Sequence, residues 1–384
     1  MTAFARSRLT LQLVFALNAI GIALWFPRIP DVKAALSVDL FTLSICFFML
    51  PVGTFLGFLY APALLARFGG RRIVASFGAL FILTFILPAL AFSAFTLGAA
   101  LLICGMAIAP VEVGMNAKAS AFEKAHGRRI MTGCHAFWSF GAMAGAMLGG
   151  LAGEVSVSFL AQQLILAPPL AAAAFWLGLK LTADGPREAS GERRGLALPT
   201  KAALGLSLMP IGALLLEGAM MEWSALFLRG DVALSSFTAA VVFAVFSVAM
   251  GGARLAGDGL AERFGPQAVL RVSAVLAGIG IVLFALAGGL PLAIFGAGLL
   301  GLGCANIYPL TVSLIADIPG QSAERNIAAL TLTAFTAFLI GPPLIGVLGS
   351  FFGLGTAFLL LTPAALYPIL QLRPSTAPAT REVS

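Results

Sequence analysis

Residues 105–116 read Gly-Met-Ala-Ile-Ala-Pro-Val-Glu-Val-Gly-Met-Asn, and they lie in a run, residues 95–115, that is otherwise apolar apart from Thr96. Glu112 and Asn116 are four residues apart, so a helix places both side chains on one face. An acidic side chain near the middle of a bilayer costs about 2.5 kcal/mol or more unless it faces a cavity or a partner. The stretch therefore predicts a membrane-spanning helix with one polar face that points into the protein.

The composition of the whole chain extends this prediction. Of the 384 residues, 60% are hydrophobic and only 10% are charged, with a mean hydropathy of +1.02. Soluble domains carry roughly 25% charged residues. The apolar runs are about 20 residues long and lack the alternation of barrel strands, so we expect an all-α polytopic membrane protein. The twelve predicted spans are 10–27, 40–66, 73–93, 95–121, 130–152, 158–179, 202–228, 236–261, 268–289, 292–316, 326–349 and 352–371.

The positive charges indicate topology rather than a nucleic-acid surface. The net charge is +7, but the Lys and Arg residues fall in short loops between apolar runs. Apart from Lys118 and Arg254, which lie within spans, all but Arg28, Lys33 and Arg229 fall on one side of the bilayer. Cytoplasmic loops carry an excess of Lys and Arg. We therefore expect a multi-pass protein of the cell inner membrane with both termini in the cytoplasm.

The two halves of the chain resemble each other. Ala66-Arg-Phe-Gly69 follows the second span, and Glu262-Arg-Phe-Gly265 follows the eighth, 196 residues later. The same offset relates four glycine pairs: Gly105 and Gly301, Gly145 and Gly341, Gly150 and Gly346, Gly153 and Gly349. This pattern predicts two parallel six-helix repeats. The predicted units are an N-terminal bundle (1–180), a cytoplasmic linker (181–201), a C-terminal bundle (202–372) and a disordered tail (373–384).

Twelve spans in two repeats, with a basic turn after the second span, resemble the major facilitator superfamily. The family's loop motif is roughly Gly-x-x-x-Asp-Arg-x-Gly-Arg-Lys/Arg, and here Ala66 replaces its acid. The resemblance implies secondary transport without a cofactor, and an acid that latches one conformation at a helix N-terminus. The candidate gating residues either match this motif in one of the two halves or form a charged pair near it. They are Arg67, Arg71, Arg72, Arg254, Asp258, Glu262 and Arg263.

A narrower resemblance covers most of the chain and is to the fucose permease branch with its related bacterial inner-membrane carriers. It rests on Glu112-x-x-x-Asn116, on His135-Ala-Phe-Trp138-Ser-Phe-Gly and on Gly341-Pro-Pro. In that branch the glutamate is a candidate for proton coupling, and this role carries over to Glu112. An asparagine that helps to hold sugar has no counterpart here, because Trp138 stands in its place.

Three ionisable residues within the predicted spans, Glu112, Glu217 and His135, are candidates for proton coupling. Burial favours the neutral form of a carboxyl group, so Glu112 could exchange a proton as water access alternates; the alternative is a structural acid paired with Lys118 or a polar neighbour. Glu217 is the second candidate for proton coupling, whereas we expect Glu222 at the interfacial rim beside Trp223. His135 is either a proton relay or a packing histidine. No acid or second histidine stands at metal-ligand spacing from it.

Other polar and aromatic residues could line a substrate path, since aromatic faces stack on sugar rings and amides bind hydroxyl groups. The candidates are Asn116, Trp138, Asn18, Trp25, Asn306 and Tyr308, and packing between helices is the alternative for each. Arg254 and Asp258 are one turn apart, which favours an intrahelical pair or a gating latch over substrate contact.

Three functions remain open. The first is a proton-coupled carrier that takes up a small polar solute such as a sugar and acts as a monomer in the lipid bilayer. The second is a proton-coupled exporter, because Gly141-x-x-x-Gly145-Ala146-x-x-Gly-Gly resembles the family's antiporter motif except that Ala146 replaces proline. The third is a non-transporting sensor or assembly factor. An enzyme is not expected, since neither a phosphate-binding loop nor a catalytic triad is present in the sequence.

Overall fold

A computed structural model describes residues 2–182, 198–316, 318 and 322–372. All regular structure in these ranges is helical, and twelve helical segments are long and apolar enough to cross a membrane. The expected all-α polytopic fold with twelve spans is therefore confirmed. Most of the predicted linker (183–197) and the predicted disordered tail (373–384) lie outside the described residues.

The spans are built from seventeen α-helices, because several spans are broken near their middle or end. The helices are α1 Ala3–Ala23, α2 Ile29–Leu36, α3 Leu40–Phe68, α4 Gly70–Thr84, α5 Ile86–Ala89, α6 Ala94–His126, α7 Met131–Glu154, α8 Phe159–Leu179, α9 Lys201–Glu222, α10 Ser224–Gly230, α11 Ser236–Phe264, α12 Pro266–Ala285, α13 Leu290–Cys304, α14 Ile307–Ala316, α15 Ala323–Phe352, α16 Leu354–Leu359 and α17 Thr362–Gln371.

Local sequence explains where the long helices begin. Seven helices are preceded by a Ser, Thr or Asp whose side chain accepts a hydrogen bond from the backbone N–H three residues later. This bond satisfies a donor that has no intrahelical partner. These residues are Thr2, Asp39, Ser93, Ser158, Thr200, Ser235 and Ser322. The Thr42 N–H, which donates to the Asp39 carboxylate at 2.7 Å, holds the pKa of that carboxyl below its usual value.

The two basic turns have the same geometry in both halves. Gly69 and Gly265 end α3 and α11 with φ angles of 86° and 82°, a region that side chains other than glycine rarely adopt. In each turn the arginine guanidinium lies 5.1 Å from the centroid of the following phenylalanine ring. The repeat read from the sequence is therefore also a repeat of backbone conformation.

The paired glycines make equivalent contacts, as parallel repeats require. A Cβ on Gly105 would overlap the Leu50 carbonyl oxygen, and one on Gly301 would overlap the carbonyl oxygen of Phe246, which lies 196 residues after Leu50. The offset of 196 residues also relates two contacts between the halves. Gly150 faces Ala240, and the counterparts of these two residues, Gly346 and Ser44, face each other. Backbones approach closely at these positions because nothing larger than hydrogen fits.

We expect Gly105→Ala to destabilise the protein by about 1–3 kcal/mol, because the new methyl group must push α6 away from the α3 backbone. Thermal denaturation of the purified protein measures this as a lower Tm. Gly218→Ala is the matched control, since a Cβ there meets no atom within 4 Å. Equal melting temperatures for the two variants would contradict the close contact between α6 and α3.

The halves meet along two helix pairs, α7 with α11 and α3 with α15. We call the end of the bundle that holds Thr2 and Leu372 the proximal end, and the opposite end, which holds the loops after α1, α7 and α10, the distal end. Gly150 and Gly153 on α7 and Gly346 on α15 make their contacts with the other half near the distal end. All four cysteines lie in the described residues, where they are buried and free.

Candidate functional site

A network of charged side chains joins the two halves at the distal end, and we call it the distal latch. The Asp31 carboxylate accepts from Arg28 Nε at 2.5 Å and from Arg229 Nη1 at 2.7 Å. Arg229 also donates to the carbonyl oxygen of Pro27 at 3.2 Å. Asp31 lies in the N-terminal half and Arg229 follows α9, so this carboxylate connects the halves.

Arg28 holds Asp31 in position from within its own half. Its guanidinium donates to Gln162 Oε1 at 2.8 Å and to the Val157 carbonyl oxygen at 2.9 Å, and the residue is only 4% exposed. In the sequence, Arg28 and Arg229 indicated only the topology of the chain in the bilayer. The Arg28-x-x-Asp31 spacing, which places both side chains on one helical face, is the signal that could have identified half of the latch.

An aromatic layer lies directly below the latch, on its proximal side. Phe47 of α3 meets Trp223 with ring centroids 5.3 Å apart, and Trp25 meets Phe47 at 6.4 Å. Phe26 contacts Phe243 across the halves at 5.5 Å. Trp25 is buried at 2% exposure and packs in this layer in the present conformation, so its place on a substrate path stays a prediction. Trp223 is fully buried, so it is not the interfacial anchor that the sequence suggested. Both residues lie where the halves pack, which hydropathy does not reveal.

We expect Asp31→Asn to open the distal end more often, because the ion pair to Arg229 is lost while the fold of each half is retained. The side chains of Asp31 and Arg229 are 28% and 26% exposed, so the pair contributes about 1 kcal/mol, or roughly a fivefold change in the ratio of open to closed states. The labelling rate of a cysteine introduced at Val32, which is only 7% exposed while the distal end is closed, is the measurement. Lys33→Gln is the control, and equal labelling in both variants would contradict the latch.

Closer to the proximal end, one arginine contacts both halves, and we call its surroundings the polar cluster. Arg254 Nη1 on α11 donates to Ser139 Oγ on α7 at 3.1 Å. Its Nη2 lies 3.4 Å from Glu217 Oε2 on α9. The side chains of Arg254 and Glu217 are only 16% and 13% exposed. The cluster therefore places a compensated charge pair at the boundary between the two halves.

Arg254 does not form the intrahelical pair with Asp258, which was one of the two predicted roles. Its guanidinium is directed instead to Ser139 on α7 and to Glu217 on α9. Asp258 is exposed, and its Oδ2 lies 3.4 Å from Thr132 Oγ1 on the other half. Asp258 thus keeps a position suited to gating at the proximal end, without Arg254.

Of the three candidates for proton coupling, Glu112 has the fewest side-chain contacts. It is half-buried on α6, and within the described residues no hydrogen bond or ion pair reaches its carboxylate. Asn116 Nδ2 donates to the Glu112 backbone oxygen at 2.9 Å and leaves the carboxylate free. Lys118 points elsewhere, since its Nζ donates to the Thr182 carbonyl oxygen at 2.9 Å. The structural alternative, a pair between Glu112 and Lys118, is not formed.

Glu112 and the polar cluster lie at similar depths in the bundle. Ala109 of α6 packs on Gly57 of α3, so Glu112, three residues further along α6, is about level with Tyr60 of α3. At 1.5 Å per residue, Tyr60 lies about 20 Å along α3 from Phe47 of the aromatic layer. Gly149 packs on Leu24 beside that layer, and Ser139 lies about 15 Å further along α7. The proton-coupling candidates therefore lie on the proximal side of a closed distal end.

His135 lies one turn before Ser139 on α7. It is half-buried, and its ring contacts Phe15 edge to face with centroids 5.5 Å apart. Both the relay and the packing interpretation remain consistent with this position. Among the described residues, no three His, Cys, Asp or Glu side chains come together as a metal site would require.

Two of the predicted substrate residues are closed to solvent. Asn18 is fully buried, and its Nδ2 donates to the Val14 carbonyl oxygen at 2.9 Å. Asn306 is 4% exposed, and its Nδ2 donates to the Ala253 carbonyl oxygen at 3.1 Å. In this conformation both amides bond to helix backbones and face no open path, so their place on a substrate path stays a prediction. Half-buried side chains that keep some access are Asn116, Trp138 and Tyr308.

The residues of the family-like loop motif lie at the proximal end. Arg67, Arg72, Glu262 and Arg263 are exposed, and Arg71 is half-buried. Arg67 and Arg263 stack on their neighbouring phenylalanines rather than crossing between the halves. A gating role for these five residues stays a prediction.

Comparison with known proteins identifies relatives over nearly the whole chain. The family model described as Major Facilitator Superfamily matches residues 211–381. The uncharacterized transporter y4wD of Sinorhizobium fredii is 31% identical over 337 residues, which are 87% of this chain and 89% of that protein. An uncharacterized MFS-type transporter of Yersinia pestis is 29% identical over 363 residues, covering 92% and 93%. The multidrug efflux pump LfrA of Mycolicibacterium smegmatis is 28% identical over 188 residues, covering 48% of this chain and 37% of the pump.

Two solved structures share the fold. The nucleoside transporter NupG superposes with a TM-score of 0.71 at 14% identity and covers 95% of this chain and 98% of its own. The Escherichia coli fucose:proton symporter FucP superposes with a TM-score of 0.63 at 18% identity, covering 96% and 98%. Because the identities are low, these structures support the arrangement of helices and not a shared substrate.

Proposed function

This chain belongs to the major facilitator superfamily, and from that membership we propose that it is a secondary active carrier which couples proton movement to uptake of a small polar solute such as a sugar. The observation that carries the proposal is Glu112, a half-buried carboxylate within a membrane span that has no partner among the described residues. Intramembrane acids of this kind mark ion and proton pathways. Transport proceeds by alternating access between the two halves.

The direction of the path follows from the proposed orientation. Both termini lie in the cytoplasm and the protein is a monomer in the inner membrane, so the proximal end faces inward and the distal end faces outward. The latch and the aromatic layer then close the outer side. Residues 1–180 and 202–372 form the two moving bundles, joined by the linker 181–201.

Two carboxylates at similar depths in the bundle, Glu112 and Glu217, carry the coupled proton in this proposal. Glu112 takes up a proton from one side and releases it to the other as the halves rock. Glu217 shares its charge with Arg254, and protonation of Glu217 weakens that pair and so eases movement of α9 against α11. His135, one turn from Ser139, can pass a proton toward this pair.

Uptake into proteoliposomes under an imposed pH gradient is the test. Purified protein is reconstituted, and radiolabelled sugars, polyols and nucleosides are offered with the outside acidic, with the outside alkaline and without a gradient. We expect accumulation only with the gradient that drives protons in the direction of the solute. Transport of a solute that ignores the gradient would remove proton coupling from the proposal.

An exporter is the second candidate, and the similarity to the multidrug efflux pump LfrA over 188 residues favours it. The small-residue pattern on α7, with Gly141, Gly145 and Gly149 packed on α1, resembles the antiporter motif of the family. Deletion of the gene distinguishes the two candidates. An exporter predicts increased sensitivity to lipophilic cations, whereas unchanged sensitivity together with retained solute uptake supports the importer.

A further inference from the structure

Two acids within the spans have no partner among the described residues. Within the spans, Glu217 is compensated by Arg254, and Lys118 is held by the Thr182 carbonyl oxygen near the proximal end. Glu112 and Glu222 remain, and no hydrogen bond or ion pair reaches either carboxylate within the described residues. The carrier mechanism proposed above gives Glu112 a task but uses Glu222 for nothing.

Glu222 lies in the interior and not at the membrane rim. It is the last residue of α9, and the next residue, Trp223, is fully buried against Phe47 in the aromatic layer. Because helical side chains lean toward the N-terminus, the Glu222 carboxylate extends below that layer toward the proximal side. Glu222 is half-buried, so its carboxylate is not sealed by the packing that covers Trp223. Glu222 is therefore next to the aromatic layer, on its proximal side.

The latch cations do not reach Glu222. The nearest arginine on the same segment, Arg229, lies on the far side of the aromatic layer and pairs with Asp31 at 2.7 Å. Arg28 is held there by Asp31, Gln162 and Val157. Glu222 is thus left without a cationic partner among the described residues.

The surroundings also distinguish among cations. Hard metal ions take about six or more oxygen ligands, but no three His, Cys, Asp or Glu side chains come together here in the described part of the chain. An ammonium group needs one carboxylate and is stabilised by aromatic rings, which Phe47 and Trp223 supply at this level. The Trp223 Nε1 donor is buried without an acceptor in the described chain, so a hydroxyl of a bound solute would find a donor there once the layer parts.

We propose that the solute carries a protonated amine, as an amino sugar does, and that Glu222 binds this amine at the inner face of the closed distal end. The inference rests on the proposed carrier function and narrows its substrate class. A neutral sugar leaves Glu222 without a positive partner, whereas an amine balances the charge of the carboxylate inside the bundle.

Matched ligand pairs test the inference on the full-length protein in detergent. Tm is measured with glucosamine, galactosamine, mannosamine and ethanolamine, each compared with its N-acetyl derivative, which has the same skeleton without the charge. A ligand that binds the folded state raises Tm. We expect at least one amine to raise Tm while its N-acetyl form does not, and we expect Glu222→Gln to weaken that affinity at least about thirtyfold.

Asp231→Asn is the control variant, because Asp231 is an exposed acid just after α10, beyond the latch, and should retain amine binding. Three results overturn the inference: no amine-selective shift in the panel, equal shifts by amines and N-acetyl forms, or unchanged amine binding in Glu222→Gln. If gradient-driven uptake of neutral sugars persists in any of these cases, the carrier function stands and only the amine assignment fails.

Discussion

The Arg254→Ala variant is expected to lose about 3–5 kcal/mol of unfolding free energy relative to the wild type. Arg254 and Glu217 are 16% and 13% exposed, and removal of the guanidinium leaves the Glu217 carboxylate in the bundle without a compensating charge. The contact between Arg254 and Ser139, which joins α11 to α7, is lost as well. A lower Tm, measured by thermal denaturation in detergent, reports this loss.

The double variant Arg254→Leu/Glu217→Gln separates charge compensation from packing. It removes both charges and keeps side chains of similar volume, so we expect it to recover most of the stability. Asp258→Asn, at an exposed position on the same helix, should melt close to the wild type. A double variant as unstable as Arg254→Ala would show that the ion pair is not the source of the effect.

The Glu112→Gln variant is expected to abolish gradient-driven accumulation. One pH unit corresponds to 1.36 kcal/mol for each proton, so a gradient of two units can concentrate a solute about 100-fold in a carrier that moves one proton with it. Glutamine has the shape of glutamate but cannot gain or lose a proton. Accumulation in proteoliposomes should therefore fall from about 100-fold to about equal concentrations on both sides.

Solute exchange provides the internal control for Glu112→Gln. Exchange of labelled for unlabelled solute across the membrane needs alternating access but no net proton movement, so this variant should retain it. Asp231→Asn, an acid-to-amide change at an exposed position, should keep both activities. Full accumulation by Glu112→Gln would exclude Glu112 as the coupling residue.

Local patterns were sufficient to predict the helices and the repeat, but not the partners of the polar groups. The turn at Gly69 and its counterpart at Gly265, for example, follow from an Arg-Phe-Gly sequence in which only glycine readily adopts the positive φ. Asn18 shows the limit. Its type and place in a span suggested a substrate path, yet it donates to Val14 on its own helix and is fully buried.

The acids illustrate the same limit. The spacing of Arg254 and Asp258 on one helix suggested a pair, but the direction of the arginine side chain brings it to Glu217 on another helix. Asp31 and Arg229 are separated by most of the chain and still form the latch between the halves. Glu222, expected at the rim, is next to the aromatic layer because Trp223, the residue after it, packs on Phe47 of α3.

Amino-acid order alone was enough to establish an all-α membrane protein of twelve spans in two repeats, with carboxylates inside the spans, because hydropathy, helical period and glycine spacing are properties of consecutive residues. Which cation neutralises which carboxylate, which end of the bundle is closed and which amides are sealed depended on contacts between helices distant in the chain. The free energy of a buried charge depends on neighbours within a few ångströms, and packing in three dimensions selects those neighbours.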